Sequence, residues 1–207
     1  KLGMSAATLF HVAYGLVLAR CTTRNDVVFG SVLSGRMGGV AGADRMMGMF
    51  INTLPVRLRL QGASVLEAMH AAQDVLVDLL KYEQTALAVA QRCSGLDNGV
   101  ALFSAMLNFR HSQGTDELAG RSGMGTVEAK ERTNYPFVVS VDDLGHDFAL
   151  TAQADANVVE PERVLEYLGC AVLGLVEALE VDQDKGVLQL EVLPQPEREQ
   201  LVYGFNA

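Results

Sequence analysis

The sequence predicts a layered α/β sandwich in which helices pack on a mixed β-sheet. Several segments repeat apolar residues at helical spacing, and between them lie short β-branched runs that are typical of strands. The elements follow the order α, β, β, α, α, β, β, β, α, which is consistent with this architecture. With 207 residues, 49% hydrophobic and 20% charged, the chain can bury a sizeable core in one large domain or two small ones.

The first helix and the first strand lie near the start of the chain. Residues 5–20 carry apolar residues at helical spacing, and Ser5 is placed to cap the first turn. Residues 27–33, VVFGSVL, are short, apolar and β-branched. This pattern predicts a strand that is buried on both faces.

A glycine-rich stretch separates the first strand from the second. Residues 34–49 predict a loop or a distorted short helix, and residues 51–60 return to an extended pattern with alternating apolar positions. Pro55 donates no hydrogen bond to a neighbouring strand. A central, fully paired position in the sheet is therefore not expected for this strand.

Three more helices are predicted from periodicity and capping signals. Ser64 and Glu67 stand in capping-box positions at the start of residues 64–84, which we expect to form the longest helix. A short helix follows at residues 85–93. A final helix is expected over residues 161–181, with a proline at an early helical position.

The remaining segments predict strands and loops in the second half of the chain. The segment from residue 113 to Gly125 is rich in glycine, serine and acidic residues and is expected to be an exposed excursion. A hairpin turn is predicted around residues 143–146. Strands are predicted at residues 101–109, 127–132 and 135–141.

Composition excludes several classes of function. The net charge of −9, without a cluster of Lys and Arg, argues against nucleic-acid binding. The three cysteines are far apart and form no CxxC pair, so neither a disulfide framework nor a zinc site is expected. The four histidines have no spacing that suits a metal. Because no apolar run approaches ~18 residues, we expect a cytoplasmic protein with no membrane partner.

The glycine-rich run and its flanking polar residues are the best candidates for a site. A nucleotide site is disfavoured because GRMGGVAG lacks the G-x-G-x-x-G spacing. Asn52 either caps the backbone beside the proline or lines a polar site. Arg36 and Arg57 flank the loop and either clamp a phosphate or bridge to acidic loops.

Five strings then point to a known family. In their order and spacing they resemble the C-terminal lobe of a nonribosomal peptide synthetase condensation domain, over nearly the whole chain. The resemblance implies a chloramphenicol acetyltransferase-like lobe with a mixed, mostly antiparallel sheet. It assigns residues 1–193 to the lobe and residues 194–207 to the start of a linker toward an adenylation domain. The strings are VVFGSVLSGR, GMFINTLPVR, LFSAMLNFRHS, ERTNYPFVVSVDD and LPQPEREQLV.

The resemblance also implies a reaction and its partners. In this family two lobes enclose a tunnel, which the 4'-phosphopantetheine arms of a donor and an acceptor peptidyl carrier protein enter from opposite faces. An aminoacyl amine attacks an acyl or peptidyl thioester to form an amide. The His-His-x-x-x-Asp-Gly motif of the family belongs to the N-terminal lobe, and this sequence has no adjacent histidine pair. The chain is therefore expected to hold no catalytic histidine, to bind no cofactor by itself and to be inactive alone.

Family positions give the expected site residues. Ser34, Asn52, Thr53 and Asn108 would line the tunnel, and the Ser34 hydroxyl would donate to the tetrahedral oxyanion. Arg36 and Arg57 would meet pantetheine phosphates, and no metal is expected. The resemblance suggests a bacterial synthetase.

Other interpretations stay open on the sequence alone. An epimerisation, cyclising or dual epimerisation/condensation domain shares this lobe, and the NFRHS and NYPF strings favour a condensing type only weakly. A module that docks carrier proteins without chemistry is the alternative from a different class. A lone lobe should also expose an apolar face and self-associate.

Overall fold

A computed structural model describes residues 3–36, 42, 45–97, 99–111, 133–155, 157 and 159–205. The helices of this part are α1 (Ala6–Thr22), α2 (Val65–Leu80), α3 (Leu87–Cys93), α4 (Pro161–Val181) and α5 (Gln195–Glu199). The strands are β1 (Asp26–Leu33), β2 (Asn52–Arg59), β3 (Ala105–His111), β4 (Phe137–Asp143) and β5 (Phe148–Ala154). The predicted strand at residues 127–132 and the excursion at 113–125 lie outside the described residues.

The strands form one mixed sheet in the order β2, β1, β3, β4, β5. The β1–β2 and β4–β5 pairs are antiparallel, whereas β1–β3 and β3–β4 are parallel. Antiparallel residue pairs outnumber parallel ones, since β1 and β3 pair only at Gly30 with Met106 and at Ser31 with Leu107. The α/β class and the mixed sheet are confirmed, and β2, which contains Pro55, is an edge strand as its proline predicted.

The register divides the side chains of the sheet between two faces. Val27 and Phe29 of β1 face α1 and enter the main core. Tyr14 of α1 contacts Phe29 edge-on, with ring centroids 5.1 Å apart, and this contact packs the helix on the sheet. We call the opposite side the polar face, because alternation places Thr53, Asn108, Arg110 and Ser140 there.

Burial along β1 is less complete than the sequence predicted. Residues from Phe29 to Ser31 are buried, but Val28 on the polar face is 38% exposed. The strand therefore resembles a fully covered one only at its centre. The apolar composition of VVFGSVL did not distinguish these two situations.

Local signals place the helix ends well. Ser5 caps α1, and Ser64 and Glu67 form the predicted capping box of α2. One expectation is wrong: α4, with 21 residues, is longer than α2, with 16. After Leu80 the chain forms turns, although the helix was predicted to continue to residue 84. The carbonyls of Glu83 and Thr85 in this region accept hydrogen bonds from the Asn52 side chain.

Candidate functional site

The carboxyl ends of β1, β3 and β4 meet at one edge of the sheet because these three strands are parallel. In open α/β sheets this edge is where ligands bind. The segment after β1 and the start of β2 lie at the same edge, since Leu33 pairs with Asn52. The predicted residues Ser34, Arg36 and Asn52 therefore belong to one corner of the molecule.

A tight turn follows β1 at this corner. Ser34 is exposed, and Gly35 has a left-handed φ of 67°. A Cβ atom on Gly35 would lie 1.8 Å from the carbonyl oxygen of Phe50, so only glycine fits. Gln84 donates to the Gly35 carbonyl at 2.5 Å. The turn that presents the Ser34 hydroxyl is thus held from two sides.

Arg36 braces the loop that precedes β2. Its guanidinium donates to the carbonyl of Met46 at 2.8 Å and lies 4.5 Å from the ring centre of Phe50. The same loop leaves Met47 and Met49 99% exposed. The apolar face expected of a lone lobe and its self-association stay predictions.

Asn52 acts as a cap for backbone that is distant in sequence. Its amide nitrogen donates to the carbonyls of Glu83 at 2.9 Å and Thr85 at 2.7 Å, and its amide oxygen accepts from the N–H of Thr53 at 2.9 Å. These bonds fasten the start of β2 to the turn after α2. The structure therefore shows the capping role, and the tunnel-lining role of Asn52 stays a prediction.

Thr53 and Asn108 share the polar face, away from the Asn52 amide. The Thr53 hydroxyl lies 3.7 Å from the sulfur of Met106, reaching across β1 at the position of Gly30. A Cβ atom on Gly30 would lie 2.4 Å from the ring of Phe103. Because Gly30 has no side chain, the Phe103 ring and the Thr53 side chain can both lie against β1 on this face.

Arg57 lies at the other end of the β1–β2 hairpin. It makes a two-pronged ion pair with Asp26, with N–O distances of 2.9 and 2.6 Å. The hydrogen bond from Arg57 holds the pKa of Asp26 below its usual range. Arg57 is five residues along β2 from Asn52, which is ~17 Å at strand spacing. In this structure Arg36 and Arg57 bond to different partners, the Met46 carbonyl and the Asp26 carboxylate, near opposite ends of the hairpin.

Two adjacent ion pairs link the ends of β3 and β4. Arg110 donates to both carboxylate oxygens of Asp142, at 2.7 and 2.8 Å, and His111 lies 2.9 Å from Asp143. The N–H of Gly145 and, to a smaller extent, His111 lower the pKa of Asp143. Neither aspartate was predicted as a site residue from the sequence. The opposite charges of the strand ends FRH and VDD were a usable signal.

A buried polar pair joins α1 to β1 beside this corner. The His11 Nδ1 atom lies 2.7 Å from the carbonyl oxygen of Ala7, which can only accept, so Nδ1 carries the proton. Nε2 then accepts from the Ser31 hydroxyl at 2.8 Å. Burial lowers the pKa of His11 to about 4. His11 is a neutral structural histidine, as expected from its apolar surroundings.

Neither a metal cluster nor a membrane span is found in the part of the chain that the structure describes. These residues hold no group of three or more His, Cys, Asp or Glu side chains that could bind a metal ion. None of their helices is long and apolar enough to cross a bilayer.

Comparison with known sequences identifies the family. The profile described as "Condensation domain" matches residues 1–202. Malpibaldin synthetase of Mortierella alpina is 44% identical over 212 residues, which cover 100% of this chain and 4% of that protein. Bacitracin synthase 3 of Bacillus licheniformis is 30% identical over 209 residues, covering 96% of this chain and 3% of that protein. Relatives occur in fungi and bacteria, so the expected bacterial origin is not supported.

Solved structures agree on the fold. The condensation domain of the monacolin K polyketide synthase MokA superposes with a TM-score of 0.68 at 21% identity, over 87% of this chain and 42% of that one. A four-domain nonribosomal peptide synthetase bound to AMP and glycine gives a TM-score of 0.71 at 12% identity, over 94% of this chain and 16% of that one. The chain therefore spans less than half of either structure.

Proposed function

The chain belongs to the condensation-domain family of nonribosomal peptide synthetases, and we propose that it is the C-terminal lobe of such a domain. In the proposed reaction, the amine of a carrier-bound aminoacyl acceptor attacks a carrier-bound acyl or peptidyl thioester. The amide forms, and the donor thiol leaves. The observation that carries this proposal is the match over residues 1–202, together with the 42% share of the solved MokA condensation domain.

We assign to this lobe the wall of the reaction tunnel rather than the proton-transfer group. Ser34 is exposed at the carboxyl edge of the sheet, on a turn fixed through Gly35. A hydroxyl held in this way can donate to a developing oxyanion without reorganisation. Asn52 shapes the same wall through the backbone that it caps.

Thr53 and Asn108 are proposed to line the tunnel from the polar face. The Thr53 side chain reaches Met106 of β3 over the position of Gly30, and Asn108 follows Met106 by two residues on the same face of β3. Apolar and weakly polar groups such as Met106 lie beside them. This surface suits the uncharged part of a pantetheine arm or an aminoacyl group.

Each arginine is proposed to serve a different carrier arm. Arg36 and Arg57 lie at opposite ends of the β1–β2 hairpin, which suits a tunnel entered from two sides. Both already contact other groups, Arg36 a backbone carbonyl and Arg57 the carboxylate of Asp26. A phosphate at Arg57 would compete with Asp26 for the guanidinium. Because Arg57 is exposed, its contact with the phosphate should weaken as the salt concentration increases.

Dipeptide formation by the complete condensation domain tests the role of Ser34. With donor and acceptor loaded on their carriers, Ser34→Ala should lower the turnover about 100-fold, the usual cost of removing one oxyanion donor. The matched control is Ser94→Ala, an exposed serine at the end of α3. Equal turnover of the two variants would exclude the role of Ser34, and no dipeptide from the wild type would exclude the proposed reaction.

A further inference from the structure

The edge strand β2 pairs with β1 on one side and, within the described part of the chain, with no strand on the other. Its backbone groups divide between these two sides. The Leu60 N–H donates to the carbonyl of Asn25 at 2.8 Å, and the register of the hairpin, continued by one residue, places these two residues opposite each other. Hydrogen-bonded pairs alternate along an antiparallel ladder, so Leu58 also bonds to β1. Arg57 and Arg59 therefore direct their N–H and C=O groups away from β1.

The same alternation directs the backbone of Thr53 and Pro55 to the outer side of β2. The N–H of Thr53 is already bonded to the side-chain oxygen of Asn52 at 2.9 Å, and Pro55 has no N–H to offer. The outer side is thus closed at its start by a side chain and at its middle by a proline. We call residues 57–59 the free edge, because there Arg57 and Arg59 both present a donor and an acceptor to an added strand.

A cavity of about 250 Å³ lies between the free edge and α2. Ala71 of α2 is exposed and small, which leaves room beside the strand for the side chain of an added residue. An apolar side chain of the size of valine suits this space, because aliphatic groups form most of its walls. The cavity is lined by Arg57, Leu58, Arg59 and Leu60 on one side and by Ala68, Ala71 and Val75 on the other.

The charges at the free edge do not cancel. Arg57 and Arg59 are exposed on the same face of β2 and share one carboxylate, that of Asp26. Arg57 donates to it twice, whereas the Arg59 Nε atom lies 3.8 Å away, beyond hydrogen-bond distance. A positive charge is left at this edge of a chain whose net charge is −9. An acidic partner is favoured, and a second copy paired through the same edge is not, because arginines would face arginines.

We propose that the free edge binds an extended segment of a separate partner protein, in which an acidic residue is followed by an apolar one. The segment adds to β2 as an antiparallel strand and hydrogen-bonds to the backbone of Arg57 and Arg59. Its acidic side chain contacts the Arg59 guanidinium. The next side chain points to the other face, into the cavity beside Ala71. In strand addition of this kind the backbone bonds supply affinity and the side-chain contacts supply specificity. The site is independent of the proposed reaction, in which Arg59 has no part.

Peptide binding to the complete condensation domain tests this site. The probe is the fluorescein-labelled peptide Ser-Glu-Val-Glu-Val-Ser, followed by fluorescence anisotropy. Arg59→Glu should weaken binding about tenfold, because a cross-strand attraction becomes a repulsion. Ala71→Glu should also weaken it by placing a carboxylate in the cavity. The matched control is Arg198→Glu, which makes the same charge change at an exposed position of α5 and should bind as the wild type does.

Two further measurements separate strand addition from simple charge attraction. A peptide with N-methylated glutamates keeps both carboxylates but loses backbone donors, so it should bind more weakly than the probe. Hydrogen exchange followed by NMR should show faster exchange at the Arg57 and Arg59 amides than at Leu58 in the free domain, and the probe should slow both arginine amides.

Four outcomes would overturn the proposal. The first is no binding of the probe to the wild type, and the second is equal binding to the wild type and Arg59→Glu. The third is undiminished binding of the N-methylated peptide, which would leave charge alone as the cause. The fourth is slow exchange of the Arg57 and Arg59 amides without any peptide. In that case the rest of the domain, or a second copy if the protection rises with protein concentration, already covers the free edge.

Discussion

The two ends of the β1–β2 hairpin use polar residues in opposite ways. At the closed end, which we define by Gly35 and Asn52, side-chain amides donate to backbone carbonyls that are distant in sequence. At the open end, defined by Asp26 and Arg57, two exposed side chains pair with each other. Removing a closed-end group leaves other groups unsatisfied, whereas the open-end pair can exchange its partners for water. Similar residues in one hairpin thus differ in structural importance.

The largest expected effect is at Gly35. Gly35→Ala should destabilise the complete domain by about 3 kcal/mol or more, because it combines a left-handed backbone with a clash against main-chain atoms. Gly62→Ala is the matched control, since its φ of 73° is similar but nothing lies within 4 Å of the added Cβ. Urea unfolding measures both variants. Equal losses of unfolding free energy in the two variants would show that the backbone around Gly35 shifts to accommodate the added Cβ atom.

Acid should weaken the core next to the closed end. The pKa of His11 is about 4 in the folded protein, against 6.5 for an ordinary histidine. Between these values the unfolded chain binds a proton that the folded chain does not, so stability falls as the pH drops from 7 to 4. The loss attributable to His11 is about 3 kcal/mol. This loss of stability should disappear in His11→Gln and persist in His70→Gln. Unfolding free energies measured at several pH values check the prediction. The same dependence on pH in His11→Gln and the wild type would show that burial of His11 is irrelevant.

The smallest effects compare the two ends directly. Asn52→Ala should cost about 2 kcal/mol, because two carbonyls and one N–H lose a partner. Arg57→Ala should leave the unfolding midpoint nearly unchanged, since the side chain is 56% exposed and its ion pair is screened by salt. Thermal unfolding of both variants at low and high salt checks the ranking. A larger loss of stability in Arg57→Ala than in Asn52→Ala would contradict the greater structural importance of the closed end.

Much of the fold could be predicted because its signals are local. Ser64 and Glu67 identify their own helix start, since the groups that they cap are three residues away. Pro55 indicates an edge strand through a hydrogen bond that it cannot make. The limits of α4 follow from its apolar periodicity and early proline. The length of α2 was overestimated because its pattern continues into a turn where the backbone bonds to Asn52.

The candidate site was less predictable because its partners are distant in sequence. Asn52 was predicted to be either a cap or a site residue, and the carbonyls that it caps lie in a turn 31 residues away. Arg36 and Arg57 were considered together because they flank one loop. The antiparallel register places them at opposite ends of the hairpin, and no local pattern of charge contains that information.

The sequence by itself determined the α/β class, the order of the elements from α1 to β3 and, through its ordered motifs, the family. These properties follow from periodicity, capping and the succession of short strings along the chain. Only the tertiary structure decided which distant groups each polar side chain bonds to. Strand register and helix packing determine which groups lie next to a given asparagine or arginine. Because these groups are distant in sequence, the residues that flank the side chain in the chain do not predict its role.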